Sequence, residues 1–334
     1  AISNMGGWPG LLMFFKKKGL SGDLFTWILA TIAGVFILVF FYRFATQHID
    51  VSEDLTDRQT AEYLIDELDA FSTGESSTNY LNFRTPLDVT FQCGSVGFRD
   101  FAKDLDRLVF APSEIHDDEI AMWTEVWKFP FPITPVYYLT TKRSRTIIIY
   151  DDRSVDFIQR HSFPSTMGIQ SVHIKSLKLD QLRQQTSGLD SLHLIYLIPV
   201  RDVNIISEAF PSLKPDILEV DLEKHTVRYH NYRIDGFYLG DEMLYGAFFA
   251  PEQFPCLQRK ALEHLWRAAH LLEQRARLLQ GKIADPACSE LFFSLSTAYH
   301  GFIGVDDYDL LYEQMERVDQ YDSLLQRQGC GGAY

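Results

Sequence analysis

Two adjacent carboxylates, Asp151 and Asp152, directly follow the apolar, strand-like residues 146–150. In an α/β sheet, ligands bind beyond the carboxyl ends of the strands, so an acidic pair there could hold a cation or accept a phosphoryl group. The simpler explanation is a turn followed by a helix, in which Asp152 or Ser154 caps the helix N-terminus. We expect capping, and we keep a ligand pocket near Asp151, Asp152 and Pro199 as the alternative.

Four cysteines, Cys93, Cys256, Cys288 and Cys330, are the next candidates for chemistry. They lack the C-x-x-C spacing of metal sites, and in an oxidising compartment at least one disulfide is expected. The helix predicted after Cys256 would span about 35 Å, whereas residues 281–288 reach at most about 28 Å. A Cys256–Cys288 bond therefore requires that helix to break or end early. The sequence leaves all three pairings open, with four buried free thiols as the alternative.

No other motif predicts a reaction. His264 and His270 lie six residues apart, whereas two zinc ligands on one helix need i, i+4 spacing. The sequence contains no G-x-S-x-G, P-loop or G-x-G-x-x-G motif. We therefore expect no catalytic residue, no metal ligand and no cofactor.

An aromatic, proline-rich segment contains Trp123, Trp127, Phe129 and Phe131. Such residues usually belong to a core or a sheet edge, and the alternative is a surface that binds a partner. These four side chains are the candidate interaction patch of the sequence.

The strongest structural pattern is an uncharged apolar segment of 19 residues, residues 24–42. At about 1.5 Å per residue it is just long enough to cross a hydrocarbon layer of about 30 Å. Trp27 and Tyr42 lie near its ends, where amphipathic rings prefer the membrane interface. A secretory signal peptide is the alternative. Its apolar core is typically shorter, about 7–15 residues, and is followed by an A-x-A-like cleavage site. No such site follows residues 24–42. We therefore predict a retained transmembrane helix over residues 24–43.

Flanking charges predict the orientation of this helix. Lys16, Lys17 and Lys18 precede it and Arg43 follows it. Because cytoplasmic flanks carry more Lys and Arg, we place residues 1–23 in the cytoplasm or at its membrane interface, and the rest of the chain outside the cell membrane.

The overall charge limits the partners. The chain has 31 Lys and Arg against 45 Asp and Glu, a net charge of −14, and the part after residue 43 carries −17. This acidic balance argues against nucleic acid as a partner.

The remaining chain predicts a mixed α/β domain. Residues 51–71 repeat apolar side chains at helical spacing, so a membrane-proximal helix and linker occupy residues 44–80. Across residues 81–250, strand-like segments alternate with helix-like ones, which favours a partly parallel sheet. Helix-like segments there are residues 154–160, 179–185 and 203–210. Residues 251–334 predict a helical C-terminal part.

Short motifs give a resemblance to a known group. The K-K-G-L-S motif at residues 17–21, before a single apolar helix, is similar to the class III, pilin-like signal segments of archaeal surface proteins. Later motifs, from residue 127 onward, resemble a loose set of uncharacterised archaeal single-pass membrane proteins. They are Trp127, F-P-F at residues 129–131, L-Y-G-A-F at residues 244–248, Cys256 and K-A at residues 260–261. The resemblance covers about residues 16–290 and implies an envelope location, with no activity or site residues.

These observations predict a single-pass envelope protein that serves, without catalysis, as a structural or interaction subunit of a membrane or cell-surface assembly. Its partners would be other membrane or envelope proteins, or copies of itself, together with the lipid bilayer. One alternative is a membrane-tethered enzyme or ligand sensor with a pocket near Asp151 and Asp152. Another is an uncleaved pilus-like subunit, since class III processing would cut near Gly19 and the chain includes the preceding residues.

Overall fold

A computed structural model describes residues 20–71, 76–98, 101–178, 182–184, 186, 188–200, 210 and 213–331. The chain divides into two compact units, Ala1–Asp57 and Arg58–Tyr334. Helix α1, Leu20–Ala70, contributes residues to both. The predicted helix at residues 203–210 lies almost wholly outside the described residues.

The described part of the first unit is the apolar portion of α1. Its segment Trp27–Phe44 has a mean hydropathy of 2.0, and none of it is buried. The hydroxyl of Thr31 donates to the carbonyl oxygen of Trp27 at 2.8 Å, so this polar group is satisfied within the helix. The segment therefore has the length and composition of a membrane span, a property that it shares with signal sequences.

The second unit begins with a six-stranded sheet. Its order is β3-β2-β1-β5-β6-β4. The strands are β1 (Ser77–Gln92), β2 (Ser95–Phe98), β3 (Phe101–Asp104), β4 (Leu108–Phe110), β5 (Glu114–Lys128) and β6 (Pro132–Thr141). All neighbours pair antiparallel except β4 and β6, which are parallel.

The C-terminal end of α1 packs on one face of this sheet. Ala61, Leu64 and Leu68 are completely buried there in a core with strand residues. The guanidinium of Arg107 donates to the carbonyl oxygen of Leu68 at 2.6 Å and to the hydroxyl of Tyr137 at 2.9 Å. The last turns of α1 are therefore a structural part of the α/β unit.

A second six-stranded sheet has the order β12-β11-β10-β9-β7-β8. The strands are β7 (Ser144–Tyr150), β8 (Ile169–His173), β9 (Ser191–Tyr196), β10 (Asp216–Asp221), β11 (Thr226–Tyr229) and β12 (Ile234–Phe237). Strands β8, β7, β9 and β10 are parallel, and β11 and β12 are antiparallel additions. The short helix α2, Val155–Arg160, lies between β7 and β8 in the chain.

Two 3-10 helices, Ser165–Met167 and Ile174–Ser176, flank β8. Four longer helices follow the second sheet: α3 (Asp241–Phe249), α4 (Phe254–Gln280), α5 (Pro286–His300) and α6 (Tyr308–Arg327). The largest core cluster joins both sheets to these helices. A Cβ on Gly246 of α3 would lie 2.5 Å from the ring of Phe110, so only glycine allows this close approach to β4. The predicted mixed α/β architecture, with a helical C-terminal part and one apolar N-terminal helix, is confirmed.

Candidate ligand-binding cleft

A cleft lies at the carboxyl ends of β7 and β9. After β7 the chain passes to β8 on one side, and β9 returns to the other side of β7. Such a switch point is where open α/β sheets bind ligands. The cleft has a volume of about 480 Å³, which is within the usual range for small-molecule sites. Its described lining residues are Asp151, Arg153, Ile174, Tyr196, Ile198, Pro199 and Val200.

Ser154 joins the two strand ends that form the cleft. Its hydroxyl donates to the carbonyl oxygen of Leu197 at 2.9 Å and contacts Oδ1 of Asp151 at 3.3 Å. Ser154 occupies the N-cap position of α2, but its side chain makes no capping hydrogen bond. The expectation of side-chain capping by Ser154 is therefore wrong, because its hydroxyl is directed across to β9.

Asp151 holds Arg153 at the cleft. Its Oδ1 accepts from the backbone N–H of Arg153 at 3.0 Å, and its Oδ2 accepts from Nε at 3.1 Å and lies 3.1 Å from Nη2. Burial by itself would raise the pKa of Asp151, but the hydrogen bonds from Arg153 and Ser154 outweigh it and hold that pKa below its usual value. Asp151 is therefore a carboxylate that positions a guanidinium.

Asp152 points to a different set of partners. Its carboxylate lies 2.6 Å from Nζ of Lys175 and 3.1 Å from Nε2 of His173. Lys175 and His173 together hold the pKa of Asp152 below its usual value. Both carboxylates of the pair are thus matched with cationic or hydrogen-bonding neighbours. They do not form the free acidic pair that a cation site or a phosphoryl acceptor would need, and Asp152 does not cap α2.

The opposite wall of the cleft is apolar. Ile198, Pro199 and Val200 leave the end of β9 in an irregular segment. The backbone N–H of Val200 donates to Oε2 of Glu219 at 3.2 Å, which fixes this segment against β10. Tyr196, the last residue of β9, lines the cleft, and burial raises the pKa of its hydroxyl to about 12. The phenol is therefore neutral at physiological pH.

The four cysteines form two disulfides away from the cleft. Cys93 pairs with Cys256, and Cys288 pairs with Cys330. The first bond joins the β1–β2 turn to the start of α4, and the second joins the start of α5 to the segment after α6. Helix α4 runs unbroken to Gln280, which agrees with the absence of a Cys256–Cys288 bond.

The aromatic residues of the candidate interaction patch are buried. Trp123, Trp127, Phe129 and Phe131 are each at most 3% exposed and belong to the largest core. Nε1 of Trp127 donates to the carbonyl oxygen of Leu239 at 2.6 Å. The interpretation of these residues as a partner-binding surface is therefore wrong, because helix α3 and the C-terminal helices cover them.

The structure describes some of the residues expected at the two ends of the membrane span. Trp27 and Tyr42 are 75% and 67% exposed on α1, and Arg43 lies on the same helix. Lys16, Lys17 and Lys18 lie outside the described residues.

Within the part of the chain that the structure describes, no cluster of three or more His, Cys, Asp or Glu side chains is placed to hold a metal ion.

Of the residues that the sequence placed near a pocket, Asp151 and Pro199 line the cleft and Asp152 does not, whereas Arg153 and Tyr196 line it without having been predicted. The buried-strand pattern of residues 192–198 was a usable signal, because its carboxyl end had to lie beside a neighbouring parallel strand. That the neighbour is β7, with Ile149 opposite Tyr196, depends on the pairing register.

Comparison with known proteins identified no family for this chain. No protein-family model, no curated protein and no solved structure matches the chain.

Proposed function

We propose that this chain is a single-pass membrane-anchored protein whose α/β unit binds a small ligand in the cleft between the ends of β7 and β9. One observation carries the proposal: a cleft of about 480 Å³ coincides with the switch point of the parallel strands. Its charged rim and apolar wall are the usual composition of a ligand pocket. A ligand-binding or sensing role uses this arrangement without requiring a catalytic group.

The proposal places the α/β unit outside the cell membrane and the N-terminus in the cytoplasm. Two independent features support this orientation. Lys16, Lys17 and Lys18 precede the apolar helix, against Arg43 after it. The α/β unit also carries two disulfides, which persist in oxidising compartments.

Ligand binding is tested with the full chain in a mild non-ionic detergent. A library of metabolite-sized compounds is screened for ligands that raise the midpoint of thermal unfolding, and each hit is repeated on Ile198→Trp. Ile198 lines the cleft, so the larger side chain should fill it and abolish stabilisation.

The matched control is Ile303→Trp, at a partly exposed isoleucine outside the cleft lining, which should retain the response. Val200→Trp serves as a second cleft-filling variant if Ile198→Trp does not fold. Hits that stabilise the control and both cleft variants equally, or a library without hits, would contradict the proposal.

A structural subunit of a membrane assembly is the second candidate function. It is favoured by the aromatic side chains that α1 exposes, since Phe36, Phe40 and Phe44 recur every four residues. The rings of Phe40 and Phe44 stack with centroids 6.2 Å apart. Such a stripe could pack against another membrane-spanning helix.

The mass and composition of the protein extracted from native membranes test this second candidate. A discrete large particle that contains other chains in fixed ratio would support the assembly. A large particle of this chain alone would support the pilus-like alternative. A monomer would exclude both.

A further inference from the structure

We propose that the cleft selects anionic ligands, namely small molecules that carry a carboxylate or phosphate group on an apolar body. The inference rests on the proposed ligand-binding function, and it names the chemical class that the site recognises. It follows from which hydrogen-bonding groups around the cleft are already used.

Asp151, the carboxylate that lines the cleft, already accepts several hydrogen bonds, whereas Asp152 does not line the cleft. Both oxygens of Asp151 accept hydrogen bonds from Arg153, and Oδ1 is also contacted by Ser154. Both oxygens of Asp152 are engaged by His173 and Lys175. A cationic ligand in the cleft would compete with Arg153 for Asp151 and would be repelled by the Arg153 guanidinium.

The donor groups are not used up. A guanidinium carries five N–H donors, and Arg153 directs Nε and Nη2 to Asp151. Its side chain is 78% exposed, so the other donors face solvent beside the cleft. Among the described residues, none makes a hydrogen bond with the hydroxyl of Tyr196, which lines the same cleft. The cleft therefore offers hydrogen-bond donors, namely the remaining N–H groups of Arg153 and the hydroxyl of Tyr196, and these match a ligand rich in acceptors.

Asp151 also prepares Arg153 for this role. A guanidinium already held by a carboxylate loses less conformational freedom when it binds an anion, and its planar edge matches the two oxygens of a carboxylate or phosphate. Asp151 and Arg153, the charged residues of the described lining, together carry no net charge, and neither does the neighbouring pair of Asp152 and Lys175, so they do not repel an anion as a group. The apolar wall of Ile174, Ile198 and Pro199 then accommodates the uncharged part of the ligand.

Four probes share a similar apolar body and differ in the charge of their polar group: benzoate, phenyl phosphate, benzyl alcohol and benzylammonium. Their dissociation constants are measured on the full chain in detergent by ligand-observed NMR. Benzoate or phenyl phosphate should bind at least about tenfold more tightly than benzyl alcohol and benzylammonium, as expected for a charge-assisted hydrogen bond. The comparison of the two anions shows whether a carboxylate or a phosphate is preferred.

Variants then assign the selectivity to the cleft. Arg153→Gln should lower the affinity for the preferred anion about tenfold and leave the affinity for benzyl alcohol unchanged. Tyr196→Phe should lower the affinity for the anion severalfold. Arg160→Gln, at an exposed arginine of α2 that does not line the cleft, is the matched control and should change neither.

Ligand binding in the cleft and selection of anions by the cleft are contradicted by different results. If benzyl alcohol or benzylammonium binds as tightly as the anions, and Ile198→Trp abolishes that binding, anion selection is overturned while the ligand-binding cleft stands. If anions bind equally to wild type and Arg153→Gln, or if none of the four probes binds, anion selection is likewise overturned. The proposed function is then judged separately by the broader screen and its cleft-filling variants.

Discussion

The half-buried carboxyl group of Glu242, at the start of α3, makes the folding stability depend on pH. Burial raises the pKa of Glu242 to about 7 from a usual value of 4.5, and the charges of Asp241 and Glu125 add to the effect. Below pH 4.5 the carboxyl is protonated in both the folded and the unfolded state. As the pH rises from 4.5 through 7, the unfolded state releases this proton first, so the folded state loses stability.

We therefore expect Glu242→Gln to remove part of the pH dependence of folding. Between pH 5 and pH 8, the free energy of unfolding of the wild type should fall by roughly 1–3 kcal/mol more than that of the variant. Denaturant titrations at each pH measure this difference. Glu316→Gln, at an exposed glutamate of α6, is the control and should follow the wild type. Parallel pH profiles for wild type and Glu242→Gln would refute the assignment.

Ser154 is the second residue with a specific prediction. Ser154→Ala removes a buried hydrogen bond to the carbonyl oxygen of Leu197. We expect a loss of about 1–2 kcal/mol in the free energy of unfolding and weaker binding of any cleft ligand. Ser165→Ala, at an exposed serine, should have no effect on either quantity. An Ser154→Ala variant with unchanged stability and affinity would show that this link does not maintain the cleft.

At the scale of elements, two disulfides hold together parts of the chain that are far apart in sequence. Cys93 and Cys256 are separated by 163 residues, and Cys288 and Cys330 by 42. A longer closed loop restricts the unfolded chain more, so the first bond should contribute more stability.

The double variants Cys93→Ala/Cys256→Ala and Cys288→Ala/Cys330→Ala compare the two bonds directly. Each should lower the free energy of unfolding by about 2–5 kcal/mol, with a loss about 1 kcal/mol larger for the first pair. Urea unfolding of the full chain in detergent, followed by tryptophan fluorescence, gives both values. A larger loss from the second pair would contradict the loop-length argument.

The C-terminal turns of α1 provide the other prediction for an element. Leu68 is completely buried against the first sheet, whereas Asp66, two residues earlier, is exposed. Leu68→Ala should cost about 2–5 kcal/mol of stability in the α/β unit, and Asp66→Ala should cost little. The same fluorescence-monitored titration measures both. If Leu68→Ala has no effect, these turns are a linker and not a part of the sheet's core.

For the whole molecule, the proposed orientation makes a direct prediction. In sealed right-side-out vesicles from native membranes, added protease should digest the chain beyond α1 and leave the membrane-embedded segment protected. Mass spectrometry without reduction should find peptides that join Cys93 to Cys256 and Cys288 to Cys330. A cytoplasmic marker protein must stay intact in the same vesicles. Full protection of the α/β unit until detergent is added would reverse the orientation.

Elements with strong local patterns could be predicted from the sequence. The helical part expected over residues 251–334 is observed as α4, α5 and α6, and the helix expected over residues 154–160 is observed as Val155–Arg160. The 15-residue strand β5 could not be predicted, because its Asp117 and Asp118 look like loop residues. That strand exists because β1 and β6 pair with it on both sides, and such long-range pairing leaves no local pattern.

The sequence by itself determined the apolar helix, the acidic charge of the rest of the chain, and the mixture of strands and helices. These properties follow from composition and periodicity over a few turns or strands. The tertiary structure decided the pairing of the cysteines, the burial of Trp123 and Trp127, and the partners of Asp151 and Asp152. It also decided that Arg153 and Tyr196 line one cleft. Each of these outcomes depends on which distant segments become neighbours, and that choice is made by packing of the whole core rather than by any local stretch of residues.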